Sequence, residues 1–213
     1  LPRLSLAAHL AHAAGFVNDA AAINEACLSV MKVEGKNDNG VTDGTASGFV
    51  AFDDQTLVTS CHVIENAHSI TAFSDTGASY EIDRVLCANS DSDIAILRFK
   101  EPTGLKPLEL NEDGKVYRAS PVVAIGSPKG FANTVSKGNV SSVYTDDDGI
   151  RYIKFNAAIS AGSSGGPLLD DEGKVIGITS GSYVGATQNL NEAVNIIELV
   201  ELAAAPKEEL AED

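Results

Sequence analysis

The chain has 213 residues, 44% hydrophobic and 21% charged, a balance that argues against disorder and fits one compact globular unit. Its 30 Asp and Glu against 15 Lys and Arg give a formal net charge of -15, so the basic footprint required of a nucleic-acid partner is missing. No apolar run reaches membrane-spanning length, and no membrane span is expected.

Residues 4–26 are rich in Ala and Leu and read as one or two helices, with Ser5 as a helix N-cap and Asn18-Asp19 as a second start. A surface helix is the plain reading. His9 and His12 would share one face of it, but no acidic or cysteine partner stands at a suitable spacing, so no metal is expected there. Residues 1–16 lack a basic stretch followed by an apolar core and do not read as a leader.

The pattern then changes to short apolar or alternating runs at 26–33, 45–52, 56–60, 69–73, 79–87, 94–99, 121–125, 134–144, 151–156, 166–169, 174–180 and 189–195. Clusters of Gly, Asn, Asp and Pro separate them, which predicts an all-β fold. Asn37-Asp38-Asn39-Gly40, Asp75-Thr76-Gly77, Asp113-Gly114 and Asp170-Asp171-Glu172-Gly173 carry turn chemistry. Pro102, Gly104 and Pro107 break the strand pattern and mark a crossover between two halves, 26–105 and 106–200, with a helical extension at 1–25. A short C-terminal helix from about 194 should give way to an acidic tail at 201–213. Cys27, Cys61 and Cys87 cannot all pair with one another and read as small buried apolar residues, with one disulfide and a spare thiol as the alternative.

The segment Ala161-Gly162-Ser163-Ser164-Gly165-Gly166-Pro167-Leu168-Leu169 sets one serine among glycines before a buried strand. A serine hydroxyl needs a base to take its proton and N–H donors aimed at the oxygen that becomes charged in acyl transfer. Glycines allow the tight turn that points such donors into one place. Ser164 is therefore the candidate nucleophile, and the Gly162 and Ser164 N–H groups the candidate oxyanion hole. A glycine-rich turn alone would look similar. Of the four histidines, His62 follows the β-type run Leu57-Val58-Thr59, and Asp93 directly precedes the apolar run Ile94-Ala95-Ile96-Leu97. His62, Asp93 and Ser164, each at a strand edge, form a candidate triad in which the carboxylate orients the imidazole.

With those residues in place, the chain resembles the chymotrypsin-like serine peptidases, and within them the HtrA (Deg) branch. The resemblance rests on Ala46-Ser47-Gly48-Phe49-Val50, Val58-Thr59-Ser60-Cys61-His62-Val63-Ile64, Ser92-Asp93-Ile94-Ala95-Ile96-Leu97, Val122-Val123-Ala124-Ile125-Gly126-Ser127-Pro128, Gly138-Asn139-Val140-Ser141-Ser142, Gly162-Ser163-Ser164-Gly165-Gly166-Pro167-Leu168 and Gly173-Lys174-Val175-Ile176-Gly177-Ile178. It implies two six-stranded antiparallel β-barrels with the cleft between them, His62 and Asp93 on the first and Ser164 on the second. It also implies polypeptide substrates, no cofactor, an extracytoplasmic (periplasmic or secreted) compartment, and a homo-oligomer, a trimer built through the N-terminal segment. Digestive relatives carry an aspartate before the nucleophile that pairs with a freshly cut N-terminus. Ser163 stands there instead, so activation of that kind is not expected. The chain as given stops too soon to hold the PDZ domain that relatives of this branch often carry.

By the same resemblance, Ala158, Ile159 and Ser160 on one side and Ser180, Gly181 and Ser182 on the other wall the pocket for the side chain before the cut. None is acidic, so Arg and Lys are not selected, and Ile159 should favour small or medium aliphatic side chains. Selectivity should be broad, because a hydrophobic pocket discriminates by about 1–3 kcal/mol per methylene. The reading is a serine endopeptidase acting on unfolded or flexible polypeptides. The alternative is a non-catalytic or chaperone-like peptide-binding protein of the same fold, and an incidental esterase is a third.

Overall fold

The structure is a computed structural model that describes residues 15–127, 133–182 and 190–205. Ser5, His9 and His12 lie outside the described residues. After a 3-10 turn at Phe16–Asn18, helix α1 spans Ala20–Cys27, started by the Asp19 carboxylate, which accepts from the N–H groups of Ala21 and Ala22 at 3.0 Å each. Those N–H groups have no partner within the helix, which is why an acidic cap stabilises this start. Strands β1 (Val30–Lys36), β2 (Thr42–Val50), β3 (Thr56–Ser60), β4 (Ser69–Ser74), β5 (Ser79–Asn89) and β6 (Ile94–Phe99) close one barrel in the order β1-β2-β3-β6-β5-β4. Strands β7 (Pro121–Gly126), β8 (Thr134–Thr145), β9 (Arg151–Phe155), β10 (Pro167–Leu169), β11 (Val175–Ser182) and β12 (Asn191–Asn195) close a second in the order β10-β11-β12-β9-β8-β7. All the strand pairings within the two barrels are antiparallel. The expected pair of six-stranded antiparallel barrels is what forms.

Three of the sequence expectations need correction at the N-terminal end. The run at 26–33 is not one strand: Ala26 and Cys27 finish α1, and β1 begins at Val30. Small residues at 20–22 and 26–27 suit a helix, and the Asp19 cap commits them to one. The boundary drawn at 25/26 thus falls inside α1. Nor is α1 a plain surface helix, because Ile23, Ala26 and Cys27 are buried in an apolar cluster with residues of both barrels.

That cluster explains why several strands read as continuous apolar runs rather than alternating ones. Side chains along a strand point to opposite faces. In β6, Ala95, Leu97 and Phe99 fill the first barrel, while Ile94 and Ile96 face the cluster between the barrels. In β7, Val122 and Ala124 fill the second barrel, while Val123 and Ile125 join the same shared cluster. Both faces of these strands are dry, so neither needs polar residues.

The connector between the barrels is tied to each of them. Leu108 N–H donates to Val50 O at 2.9 Å, and Val175 N–H donates to Glu109 O at 2.8 Å. Helix α2 (Ile196–Ala204) closes the described chain, capped by Asn195, whose side chain accepts from Ile197 N–H at 3.0 Å. Arg151 on β9 reaches Glu198 and Glu201 on α2 at 2.6 and 2.5 Å. Replacing Asp19 by Ala should lower the unfolding free energy by about 0.5–2 kcal/mol, measured by denaturant titration, because two helix-start N–H groups lose their acceptor.

Candidate active site

Register places the first two site residues. In the antiparallel pair β3·β6, Thr59 faces Ala95 and Ser60 faces Ile94. The next step along each strand therefore brings Cys61 to Asp93, and Cys61 N–H donates to Asp93 O at 3.1 Å. A 3-10 turn at Cys61–Val63 then swings His62 toward the Asp93 carboxylate. His62 N–H donates to Asp93 Oδ1 at 2.8 Å, and ring Nδ1 stands 2.8 Å from Oδ2 and 3.1 Å from Oδ1. Asp93 sits at φ +52, a left-handed backbone that Asp tolerates better than most residues and that points its carboxyl back at the turn.

Protonation follows from the pairing. The Asp93–His62 hydrogen bond pushes the imidazole pKa above its ordinary 6.5; burial works against this, and the Asp93 and Glu65 charges add to it. For Asp93, burial alone raises the carboxyl. The hydrogen bonds from the His62 ring and N–H and the charge of His62 outweigh it and hold the pKa below 3.8. Asp93 is thus an ionised, acceptor-only group, so Nδ1 of His62 carries the proton and Nε2 of the neutral ring is an acceptor. The His62 side chain is 50% exposed and that of Asp93 27%, so the ring is reachable from solvent while the carboxylate is shielded behind it.

The serine arrives on the loop between β9 and β10. Ser163 N–H donates to Ser160 O at 2.9 Å, Gly165 N–H to Thr179 O at 2.6 Å and Gly166 N–H to Ser163 O at 3.0 Å, while Thr179 Oγ1 donates to Ser163 O at 2.6 Å. Gly162 turns the chain at φ +92. Among the described residues, the N–H groups of Gly162 and Ser164 have no hydrogen-bond partner, although their neighbours in the loop are tied. The loop rests on the first barrel: Ser47 N–H donates to Ser164 O at 2.8 Å. A Cβ at Gly165 would lie 2.3 Å from Ser47 O, 2.8 Å from Ser60 N and 2.9 Å from Thr59 Oγ1. The Ser164 loop thus packs against the end of β3, two residues before His62.

The remaining expected site residues are spread around this seam. Ala158 is exposed and its carbonyl accepts from Ser136 Oγ at 2.5 Å. Ile159 is half-buried against the second barrel's core, and Ser160 is exposed. Ser180 Oγ donates to Glu192 O at 3.4 Å. Gly181 and Ser182 pair with Glu192 and Asn191 through the backbone, and the Ser182 side chain lies outside the described residues. Ser163 is buried, its Oγ accepting from Ser160 N–H at 3.3 Å. Burial raises the Cys61 thiol, as do the Asp93 and Glu65 charges, and burial pushes Cys27 up to about 11, so neither is a reactive thiolate. Among the described residues, no three His, Cys, Asp or Glu side chains gather as a metal site. A hollow of about 450 Å³ lies elsewhere, lined by Asn111, Asp113, Tyr117 and Asp170 among others, and holds none of the residues above. Sequence reasoning gave no role to Ser47 or Thr179, the buried polar residues that grip the loop. The signal was there in principle: each is a hydroxyl residue inside a strand stretch otherwise built for a dry core.

Two outcomes follow. Gly165→Ala should destabilise the fold by about 1–3 kcal/mol in thermal unfolding, since a left-handed residue would drive its methyl into Ser47 O. For the His62–Asp93 pair, the raised imidazole pKa contributes stability that is full below 6.5 and fades as pH rises through the folded value. The lowered carboxyl pKa contributes stability that is full above 3.8 and fades as pH falls through the folded value. An NMR titration should place the His62 midpoint above 6.5 and show it moving down in Asp93→Asn; no movement would contradict the assigned cause.

Comparison with known proteins gives a consistent answer. A family model described as a trypsin-like peptidase domain matches residues 46–178, more than half of the chain. Anti-sigma-I factor RsgI9 of Acetivibrio thermocellus is 32% identical over 78% of this chain and 23% of its own length. Putative serine protease HhoB of Synechocystis is 32% identical over 72% of this chain and 38% of its own length. Serine protease HTRA1B of Danio rerio is 35% identical over 66% and 31%, respectively. The chain therefore spans less than half the length of each of these relatives. A solved serine endoprotease from Yersinia pestis has the same fold, with a TM-score of 0.74 at 23% identity over 85% of this chain and 63% of that one. With HtrA serine proteases among its relatives and the matched span running from β2 to β11, the chain belongs to the trypsin-like peptidase family.

Proposed function

We infer that the chain is a serine endopeptidase that cleaves unfolded or flexible polypeptides through Ser164, His62 and Asp93. The observation that carries this reading is the hydrogen-bond pattern of the glycine loop. Its tied peptide groups alternate with two N–H groups, Gly162 and Ser164, that are left to meet a ligand oxygen. Ser164 Oγ attacks the scissile carbonyl carbon while Nε2 of His62 takes the hydroxyl proton. The carbonyl oxygen becomes an oxyanion held by the two N–H groups. Asp93 stabilises the imidazolium, which then gives its proton to the leaving amine as the C–N bond breaks. Water repeats the sequence on the acyl-enzyme and releases the acid.

Ala158, Ile159 and Ser160, with Ser180, Gly181 and Ser182 opposite, are the proposed walls of the pocket for the residue before the cut, suited to small or medium aliphatic side chains. Support comes from β11, where residues beyond Thr179 continue along β12 after the shorter β10 has ended. That leaves an edge to which an extended substrate can add as a strand. The two barrels act as one catalytic unit. An extracytoplasmic compartment and a trimer through the N-terminal segment are carried by the resemblance to the HtrA branch. Among the described residues no helix is long and apolar enough to cross a membrane.

Profiling cleavage of a mixed peptide library tests nucleophile and pocket together. Wild type should cut after Ala-, Val- or Leu-sized residues and take a fluorophosphonate label. Ser164→Ala should lose the label and at least about a thousandfold in rate. Binding of the peptides by both proteins without fragments would favour the holding role instead.

A further inference from the structure

Ser47 sits on β2 of the first barrel with no exposed surface, yet its hydroxyl and its N–H are spent on the second barrel. Its Oγ donates to Gly162 O at 2.7 Å and accepts from Ser127 N–H at 2.8 Å. Its N–H donates to Ser164 O at 2.8 Å, and its own carbonyl accepts from Thr59 Oγ1 at 2.7 Å. One residue thus holds the carbonyls of Gly162 and Ser164, the two residues whose N–H groups are left for substrate, and is bonded to the strand that leads into His62.

The pinned carbonyls matter because peptide groups are rigid planes. The Gly162–Ser163 plane is fixed at its oxygen by Ser47 Oγ and at its nitrogen by Ser160 O. The Ser164–Gly165 plane is fixed at its oxygen by Ser47 N–H and at its nitrogen by Thr179 O. The Ser163–Ser164 plane between them has its oxygen held by Thr179 Oγ1 and Gly166 N–H, so its N–H faces the other way. Gly162, at φ +92, joins the Ala161–Gly162 plane, which carries its N–H, to the Gly162–Ser163 plane; it has no side chain to restrict that joint, and the bond from Ser47 Oγ fixes the second plane, from which the first is hung. Thr179 grips the loop from its own barrel. Ser47 grips it from the barrel that carries His62 and Asp93, and so sets the loop's position relative to the base.

Resting on the endopeptidase reading above, we propose that the Ser47 hydroxyl is a positioning residue of the oxyanion hole, locking the Gly162–Ser163 peptide across the barrel seam so that the peptides on either side of it, which carry the Gly162 and Ser164 N–H groups, stay aimed at the developing charge. The interaction acts in the transition state, so its loss should appear in kcat and not in KM.

Ser47→Ala and Ser47→Cys test this. The second keeps the side-chain connectivity, with a somewhat larger atom, while weakening the donor. Each is first checked for a cooperative thermal transition, and the library substrate is then assayed beside wild type and Ser164→Ala. Expected in a folded variant is a fall of about 10–100-fold in kcat with KM within about twofold. A peptide aldehyde, whose adduct carries the oxyanion, should lose affinity in parallel with kcat/KM, while affinity for the cleaved peptide product is retained. Wild-type kcat in either folded variant overturns the proposal, as does equal weakening of the aldehyde and the product, which would indicate general loosening. Wild type that neither cleaves nor takes a fluorophosphonate label would instead sink the endopeptidase reading, and the role of Ser47 with it.

Discussion

The loop bearing Ser164 can reach the first barrel only because Gly165 presents a hydrogen where any other residue presents carbon. Ser47 O, Ser60 N and Thr59 Oγ1 crowd the direction a Cβ would take. Two further glycines let the same loop lie against β7 of its own barrel. A Cβ at Gly166 would meet Ile125 O at 2.4 Å, and one at Gly126 would touch Ser163 at 3.1 Å. Backbone meets backbone here, so the polar groups of the loop find partners in strand atoms instead of in water. A seam of this kind is stiff, because hydrogen bonds fix planes where side-chain packing alone would leave freedom to slide.

Electrostatics then act on geometry that is already set. Asp93 would be raised by burial on its own, and the hydrogen bonds from His62 reverse that outcome. The same bonds choose which ring nitrogen holds the proton. The β3·β6 register sets the pairing of Cys61 with Asp93, and the short turn after β3 does the rest. Polar chemistry at the cleft is thus a product of strand ends, and the apolar interiors of the barrels hold those ends still.

Much of this was legible before any coordinates. Strands β3 and β6 match the expected 56–60 and 94–99 in full, since both are dry runs bounded by turn residues. The Ser164 loop was legible as a candidate site because a serine among glycines ahead of Pro167-Leu168-Leu169 has few structural uses. β1 was misjudged because Ala26 and Cys27 suit helix and strand alike, and a cap seven residues upstream decided between them. Ser47 escaped notice for a different reason. Its partners Gly162 and Ser127 are 115 and 80 residues away, so a hydroxyl in a dry stretch marks a buried polar group without telling what it touches.

The apolar cluster shared by α1, both barrels and α2 has a consequence for how the polypeptide can be handled or can evolve. Cutting the connector at 100–120 would not release two self-sufficient modules. Each fragment would bare a greasy stripe, Ile94 and Ile96 on one and Val123 and Ile125 on the other, with only its twin able to shield it. Halves of this chain should therefore be inherited, expressed and degraded together.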